Sequence, residues 1–315
     1  MSHVRQYVGR WWMVCLVAGT LGGAAAVAFA ASGSPPTAVA RIVTGKAPCG
    51  AVSGFRSVWV AVYGSGQLVR INPIHNRVTR RIRVAPGICP VAIGAGSVWV
   101  ASDKTNLLYR VDPRLGRVVA RIPVVEWPAH VTFAFGSVWV SAYERGMLAR
   151  IEPQTNRVKR RYAVGGNPSG MARAGGFIWI AFGRTGTALG RLDPASGALT
   201  LLPIGHAAAG FLSFIGDSLW TTTADGFALR FDPAENRVVA SFPVPGTPAE
   251  VARGPDGNIW VAEKERNTIT RLDPKANLIV DVTSAGRGAF SIAAAAGDMW
   301  VTNFAGADVW RFRGQ

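Results

Sequence analysis

Short apolar runs and polar turns alternate along this chain at a fixed interval. The clearest run, Ser57-Val58-Trp59-Val60-Ala61, returns as Ser97-Val98-Trp99-Val100-Ala101 and as Ser137-Val138-Trp139-Val140-Ser141. Looser copies centre on Trp179, Trp220, Trp260 and Trp300, and the seven tryptophans are spaced by 40, 40, 40, 41, 40 and 40 residues. β-Branched and aromatic side chains fit a pleated surface, so each run predicts a strand. Successive side chains of a strand point to opposite faces, and here both sets are apolar, so both faces should be covered.

A common grammar surrounds each run. A proline or glycine leads in, as at Pro48, Pro128 and Pro168, and a short apolar strand follows. A turn then carries glycine close before the tryptophan, as at Gly96, Gly136, Gly176, Gly257 and Gly297. After the tryptophan strand and a polar loop, a third strand ends in Arg–apolar–Asp–Pro or a variant, such as Arg110-Val111-Asp112-Pro113 and Arg271-Leu272-Asp273-Pro274. Proline cannot donate to a sheet ladder and stops the strand. The Asp-Pro-x-x-Asn/Gly segment makes a turn, because Asn and Gly tolerate left-handed backbone. A fourth strand, for example 77–84 or 237–244, completes the unit, and 40 residues then leave no room for a helix.

Four strands every 40 residues predict an all-β, seven-bladed β-propeller of four-stranded antiparallel blades, over residues 37–315. The seventh repeat stops at its third strand, near Asp308–Phe312. Residues 38–43, Ala-Val-Ala-Arg-Ile-Val, match the outermost strands of the other repeats. They are expected to complete the last blade and close the ring, which removes open edges. A monomer is expected of such a ring.

Residues 1–30 read as a secretory signal peptide: Arg5 and Arg10 precede an uncharged run, and Ala28-Phe29-Ala30 offers small residues for cleavage. The run is also long enough for an uncleaved anchor. Either reading exports the domain, to the periplasm, the medium or the cell envelope. Residues 31–36 form a linker.

The charge sharpens this picture. Lys+Arg number 34 against 18 Asp+Glu, a net +16, which draws the protein to anionic surfaces. No basic helix is present to read nucleic acid, so none is expected as partner. The repeated Arg70, Arg110, Arg150, Arg191, Arg230, Arg271 and Arg311 are expected to bond turn carbonyls or acids between blades. Arg80, Arg81, Lys159, Arg160 and Arg161 fall on outer strands, where they suit an acidic cell-envelope polymer.

Candidate chemistry is sparse. Cys49 and Cys89 hold one repeat position in successive blades. A disulfide is the first reading in an exported protein, two buried thiols the second, and two sulfurs alone are too few for a metal site. The loops after the tryptophan strands share a face with the inter-blade loops, and they bring Tyr63, Asp103, Tyr143, Arg184 and Glu263 to one rim. Trp127 is the surface tryptophan of that rim. His130 and Glu250 stand at or beside the channel-lining position. These residues predict a rigid scaffold that recognises a small molecule or an envelope protein at the upper mouth of its channel, with no cofactor or metal. The rival reading is an enzyme with Glu263, Glu250 or His130 as acid–base groups.

The repeat Gly-Ser-Val-Trp-Val-Ala … Arg-Ile-Asp-Pro-x-x-Asn-Arg-Val resembles the YVTN-type propellers and the virginiamycin B (streptogramin) lyase family. The resemblance spans residues 38–315 and implies the propeller fold. It also implies, as an alternative function, a lyase that uses a divalent metal. That family carries Pro-His pairs ten residues before the blade tryptophan. Here those positions hold Cys49, Cys89, Ala129, Ser169, Gly210, Glu250 and Phe290, and His130 misses by one. An offset of one residue on a strand is expected to turn its side chain away.

Overall fold

Seven four-stranded antiparallel sheets stand around one axis in the computed structural model, which describes residues 35–183, 186–207 and 209–314. The signal-peptide reading of residues 1–30 and the loop residue Arg184 fall outside the described residues. Blade 1 shows the plan, from the axis outward: Pro48–Gly54, Ser57–Val62, Gln67–Asn72 and Arg77–Arg83. Blades 2 to 6 repeat it over 88–123, 128–163, 168–203, 209–243 and 248–284. Blade 7 has Ala289–Ala295, Asp298–Asn303 and Asp308–Arg313, and its outermost strand is Ala38–Val43. That strand pairs antiparallel with the third, Arg41 opposite Trp310 and Ile42 opposite Val309. The Arg41 guanidinium lies 3.9 Å over the Trp310 ring.

The seven repeated tryptophans are at most 1% exposed. Each lies in the core between its own blade and a neighbour, and burial of such an indole stabilises the fold by about 3 kcal/mol or more. The indole N–H is satisfied locally. Trp59, Trp99, Trp139, Trp179 and Trp300 donate to the carbonyl five residues earlier, in the turn between the first two strands, at 2.9–3.3 Å.

The repeated arginines stitch blades together. Arg110 donates to Ser97 Oγ in its own blade at 2.8 Å and to the Pro153 carbonyl of the next blade at 2.7 Å. Arg230 does the same with Ser218 and Pro274. Arg311 carries the pattern across the closure, to the Pro73 carbonyl of blade 1 at 2.8 Å. Their guanidinium groups also lie over the blade tryptophans, at 5.1 Å for Arg110 on Trp99. Arg271 is instead held by Asp256 and Asp281 of its own blade, so all seven cations are committed to the scaffold, though not by one bond pattern.

A second repeated bond fixes the upper face, the one that carries the inter-blade loops. The amide four residues past each tryptophan, from Tyr63 to Phe304, donates to a carbonyl of the preceding inter-blade loop at 2.8–3.2 Å in all seven blades. The turns on the lower face follow the Asp-Pro rule: Asp112 Oδ1 accepts from the amides of Arg114 and Leu115, and Asn76, Asn156, Asn236 and Asn277 have φ of 52–57°.

Candidate functional site

Every innermost strand carries a bulge just after its proline or its equivalent, as between Pro48 and Ala51 or between Pro128 and His130. A bulge inserts one residue and re-aims its side chain. Structural equivalence therefore follows strand register, not the count back from the tryptophan. Ala51 faces Val60, Val131 faces Val140, Val251 faces Val261 and Ile292 faces Val301. Hence Gly50, Pro90, His130, Gly170, Phe211, Glu250 and Ser291 share one position. This corrects the sequence expectation for His130, which is not turned away. It is the equivalent of Glu250, and blade 6 merely spends one more residue in its turn, Gly254-Pro255-Asp256-Gly257-Asn258.

Both residues line a cavity of about 590 Å³ on the propeller axis. Its walls are the middle and lower parts of the inner strands: Ala51–Ser53, Val91–Ile93, His130–Phe133, Met171–Arg173, Phe211–Ile215, Glu250–Arg253 and Ile292–Ala294. Most are apolar. The upper ends of these strands do not contribute, so the cavity opens toward the lower face. Toward the upper end of the channel, side chains bridge the blades. The Cys49–Cys89 disulfide joins the inner strands of blades 1 and 2, with Cα atoms 5.1 Å apart. Phe211 meets Phe290 edge-on at 5.4 Å, Phe290 meets Phe304 at 5.7 Å, and Phe304 meets Tyr63 at 6.1 Å.

Two kinds of polar group face the cavity. At its inner end, Glu250 accepts from Ser291 Oγ and from the Ile292 amide at 3.1 Å, and Ser291 Oγ in turn accepts from the Ala51 amide at 2.9 Å. Burial lifts the Glu250 carboxyl to about 7 against these bonds. His130 Nδ1 is buried and makes no hydrogen bond with the protein. Burial holds the imidazole down to about 4, so it is neutral at physiological pH. His130 stands in blade 3 and Glu250 in blade 6, and no hydrogen bond joins them. At the outer end, Arg173 and Arg253 are exposed at the mouth, and Arg173 rests 4.7 Å over the Phe135 ring. Sequence reasoning missed both arginines, although each is the one cation of its inner strand, in Pro168–Ala174 and Pro248–Arg253.

The other candidates sit above, apart from the cavity. Tyr63 donates to Asp103 Oδ2 at 3.1 Å, and burial raises both groups above their ordinary range. Tyr143 packs against Gly183 and receives on its carbonyl the Asn167 side-chain amide at 3.0 Å. Trp127, at φ 57°, is anchored by its own amide to Asn106 Oδ1 at 3.0 Å. Glu263 is not on the rim surface. It has no exposed area and lies under the inter-blade loop near Gly246, where Oε1 accepts from Thr270 and Oε2 has no hydrogen-bond partner. Desolvation raises it to about 7. Lys264 is likewise held down to about 7 by burial, 5.7 Å over Phe304. Among the described residues, no three His, Cys, Asp or Glu side chains gather as a ligand set for a metal ion.

No protein-family model matches the chain, and no curated protein matches it. Solved structures match in shape. A streptogramin B lyase superposes with a TM-score of 0.75 at 15% identity, over 89% of this chain and 97% of that one. Virginiamycin B lyase from Staphylococcus aureus gives 0.74 at 18% identity, over 85% and 95%. Hydrazine synthase from Kuenenia stuttgartiensis gives 0.73 at 13% identity, over 85% and 96%. Proteins this different in chemistry share the frame, so the likeness establishes the seven-bladed propeller fold and leaves activity to be argued from the site.

Proposed function

We propose that this protein is an exported binding propeller that takes a small amphipathic anion into its axial cavity from the lower face. The observation that carries the reading is the set of side chains around the cavity: mostly apolar residues on the inner strands, a neutral imidazole and a half-protonated carboxyl at the inner end, and two arginines at the mouth. A volume of about 590 Å³ is in the range of pockets that enclose small ligands. Apolar side chains of the inner strands would hold a hydrocarbon or aromatic body, and the arginines would face its anionic group. The disulfide supports export, because such bonds persist in oxidising compartments.

Titration calorimetry with decanoate and 1-decanol tests this. One decanoate should bind per chain, and decanol, which lacks the charge, should bind at least tenfold more weakly. The Arg173→Gln/Arg253→Gln double variant should lose about tenfold in affinity for decanoate, about 1.4 kcal/mol. Equal binding of both probes, or full decanoate affinity in the double variant, would refute the reading.

A further inference from the structure

The net charge of the molecule is not spread evenly around its rim. The outermost strands of blades 1, 2 and 3 read RVTRRIR, RVVARIP and RVKRRYA. They hold ten cations and no carboxylate, and all ten are exposed. The outermost strands of blades 4, 5 and 6 read LTLLP, RVVASFP and LIVDVTS, with Arg237 as the one cation and Asp281 as the one acid. Of the ten, only Lys159 has a carboxylate within 4.0 Å among the described residues, Glu152 at 3.8 Å.

Charged outer strands have an ordinary purpose, which is to stop sheet edges from pairing with other chains. That purpose applies to all seven blades alike. The edges of blades 4 and 6 manage without a cation, so edge protection does not account for ten of them on three consecutive blades. The wall is also continuous from blade to blade. Arg80 covers Gly116 in the turn that enters the outer strand of blade 2, where any side chain larger than hydrogen would collide with its guanidinium. Arg160, the same position two blades on, donates to the carbonyls of Ala195 and Ser196 in blade 4, at 2.6 and 2.9 Å. The Arg160 bonds orient its guanidinium, and the acids that feel these strands, Asp112, Glu152 and Asp193 in the lower-face turns, are far fewer than the ten cations.

We infer that the outer wall of blades 1–3 docks a flexible, linear, phosphate-bearing polymer that carries no bases. Nine of the ten cations are arginines, whose fork geometry suits phosphate oxygens. A ring of seven blades turns roughly 50° from one to the next, so a flat membrane would meet one blade edge squarely and fall away from its neighbours. A flexible chain can follow the curve across all three. The exposed residues of these strands include no aromatic side chain; Tyr162 is buried. Base-bearing single strands are normally held by stacking on aromatics, and nothing here would stack them.

The test uses the full chain and long-chain inorganic polyphosphate, measured by anisotropy across a salt series. The variant Arg77→Gln/Arg117→Gln/Arg157→Gln removes three exposed cations at one repeat position. The control Lys275→Gln/Arg287→Gln/Arg313→Gln removes three exposed cations from blades 6 and 7. Each phosphate contact on a flexible chain contributes about 0.7 to the slope of log affinity against log salt. The first variant should lower that slope by about 2 and weaken binding roughly ten- to hundredfold at low salt; the control should stay within about threefold of the parent. Equal losses in both variants would reduce the site to generic charge attraction and overturn the proposal. So would failure of polyphosphate to bind, tighter binding of oligo-dT of equal charge, or binding confined to anionic vesicles.

Discussion

Blades 1–3 and blades 5–7 are built from one repeat and differ in where they keep their polar groups. Inside blades 1–3 the buried polar side chains are serines: Ser57, Ser97 and Ser137 in the arginine clasps, with Ser102 and Ser141 bonded to carbonyls. Their charge is outside, on the arginine-rich outer strands. Blades 5–7 reverse this. Thr221, Thr222, Glu263, Thr270, Arg271, Ser291, Asp298 and Thr302 are all buried, and the outer strands are nearly neutral. The arginine clasp shows the change at a single position. In blades 1–3 its intrablade partner is a serine, in blade 5 a serine joined by Asp217, in blade 7 it is Asp298, and in blade 6 Arg271 is 4% exposed between Asp256 and Asp281. The repeat thus fixes the frame, and the departures from it mark where the two halves of the ring do different things. Both halves reach the cavity, blades 5–7 with Glu250 and blades 1–3 with His130, and only blades 1–3 turn a strongly cationic edge to solvent.

Replacing the clasp arginine measures this contrast directly. Arg271→Ala leaves two carboxylates buried without their cation and should cost about 3–5 kcal/mol in denaturant unfolding. Arg110→Ala removes only neutral partners and should cost about 1–2 kcal/mol. Equal losses would break the distinction between the halves. The disulfide is next: the Cys49→Ser/Cys89→Ser variant opens a 40-residue loop and should lose about 2–4 kcal/mol, with the damage centred on blades 1 and 2 in hydrogen exchange.

The pH response divides between two carboxyls of blade 6 and His130 of blade 3. Glu250 and Glu263 are raised to about 7 in the folded chain from an ordinary 4.5. Between those values the folded state holds protons that the unfolded state has released, so their contribution to stability is fully present below about 4.5 and is lost as pH rises through 7. His130, lowered to about 4 from 6.5, acts in the opposite sense: its penalty is present below about 4 and is relieved as pH rises toward 6.5. Glu263→Gln should therefore gain stability over the parent between pH 5 and pH 8, by about 1–3 kcal/mol, read from melting curves at both pH values. A flat difference would show that Glu263 does not titrate in this window. Ionisation of Glu250 also adds a negative charge to the cavity, so decanoate affinity should fall from pH 6 to pH 8 in the parent and hold steady in Glu250→Gln. The smallest expected effect is on the outer wall, where Arg117→Gln should change stability by less than about 0.5 kcal/mol.

The frame was legible because each blade repeats strong local signals. The tryptophan runs, the Arg–apolar–Asp–Pro endings and the orphan strand 38–43 are local patterns, and local patterns survive into the fold. The cavity was much less legible. Counting ten residues back from each tryptophan set His130 apart from Glu250, because a count assumes equal turns, and blade 6 has a longer one. The bulges that aim both side chains at the axis leave no mark in the hydrophobic pattern. Glu263 reads as a loop acid in sequence, and only the inter-blade loop folded over it makes it buried. The upper rim was an open mouth on topology alone; the ring contacts of Phe211, Phe290, Phe304 and Tyr63 that fill it join residues from blades 5, 7 and 1.

The most direct measurement is a crystal structure with 10-bromodecanoate, the bromine located by its anomalous signal. Bromine is expected among the inner strands, below His130 and Glu250, with the carboxylate between Arg173 and Arg253 at the lower mouth. Bromine on the upper face, beside Tyr63, Asp103 or Tyr143, would contradict it.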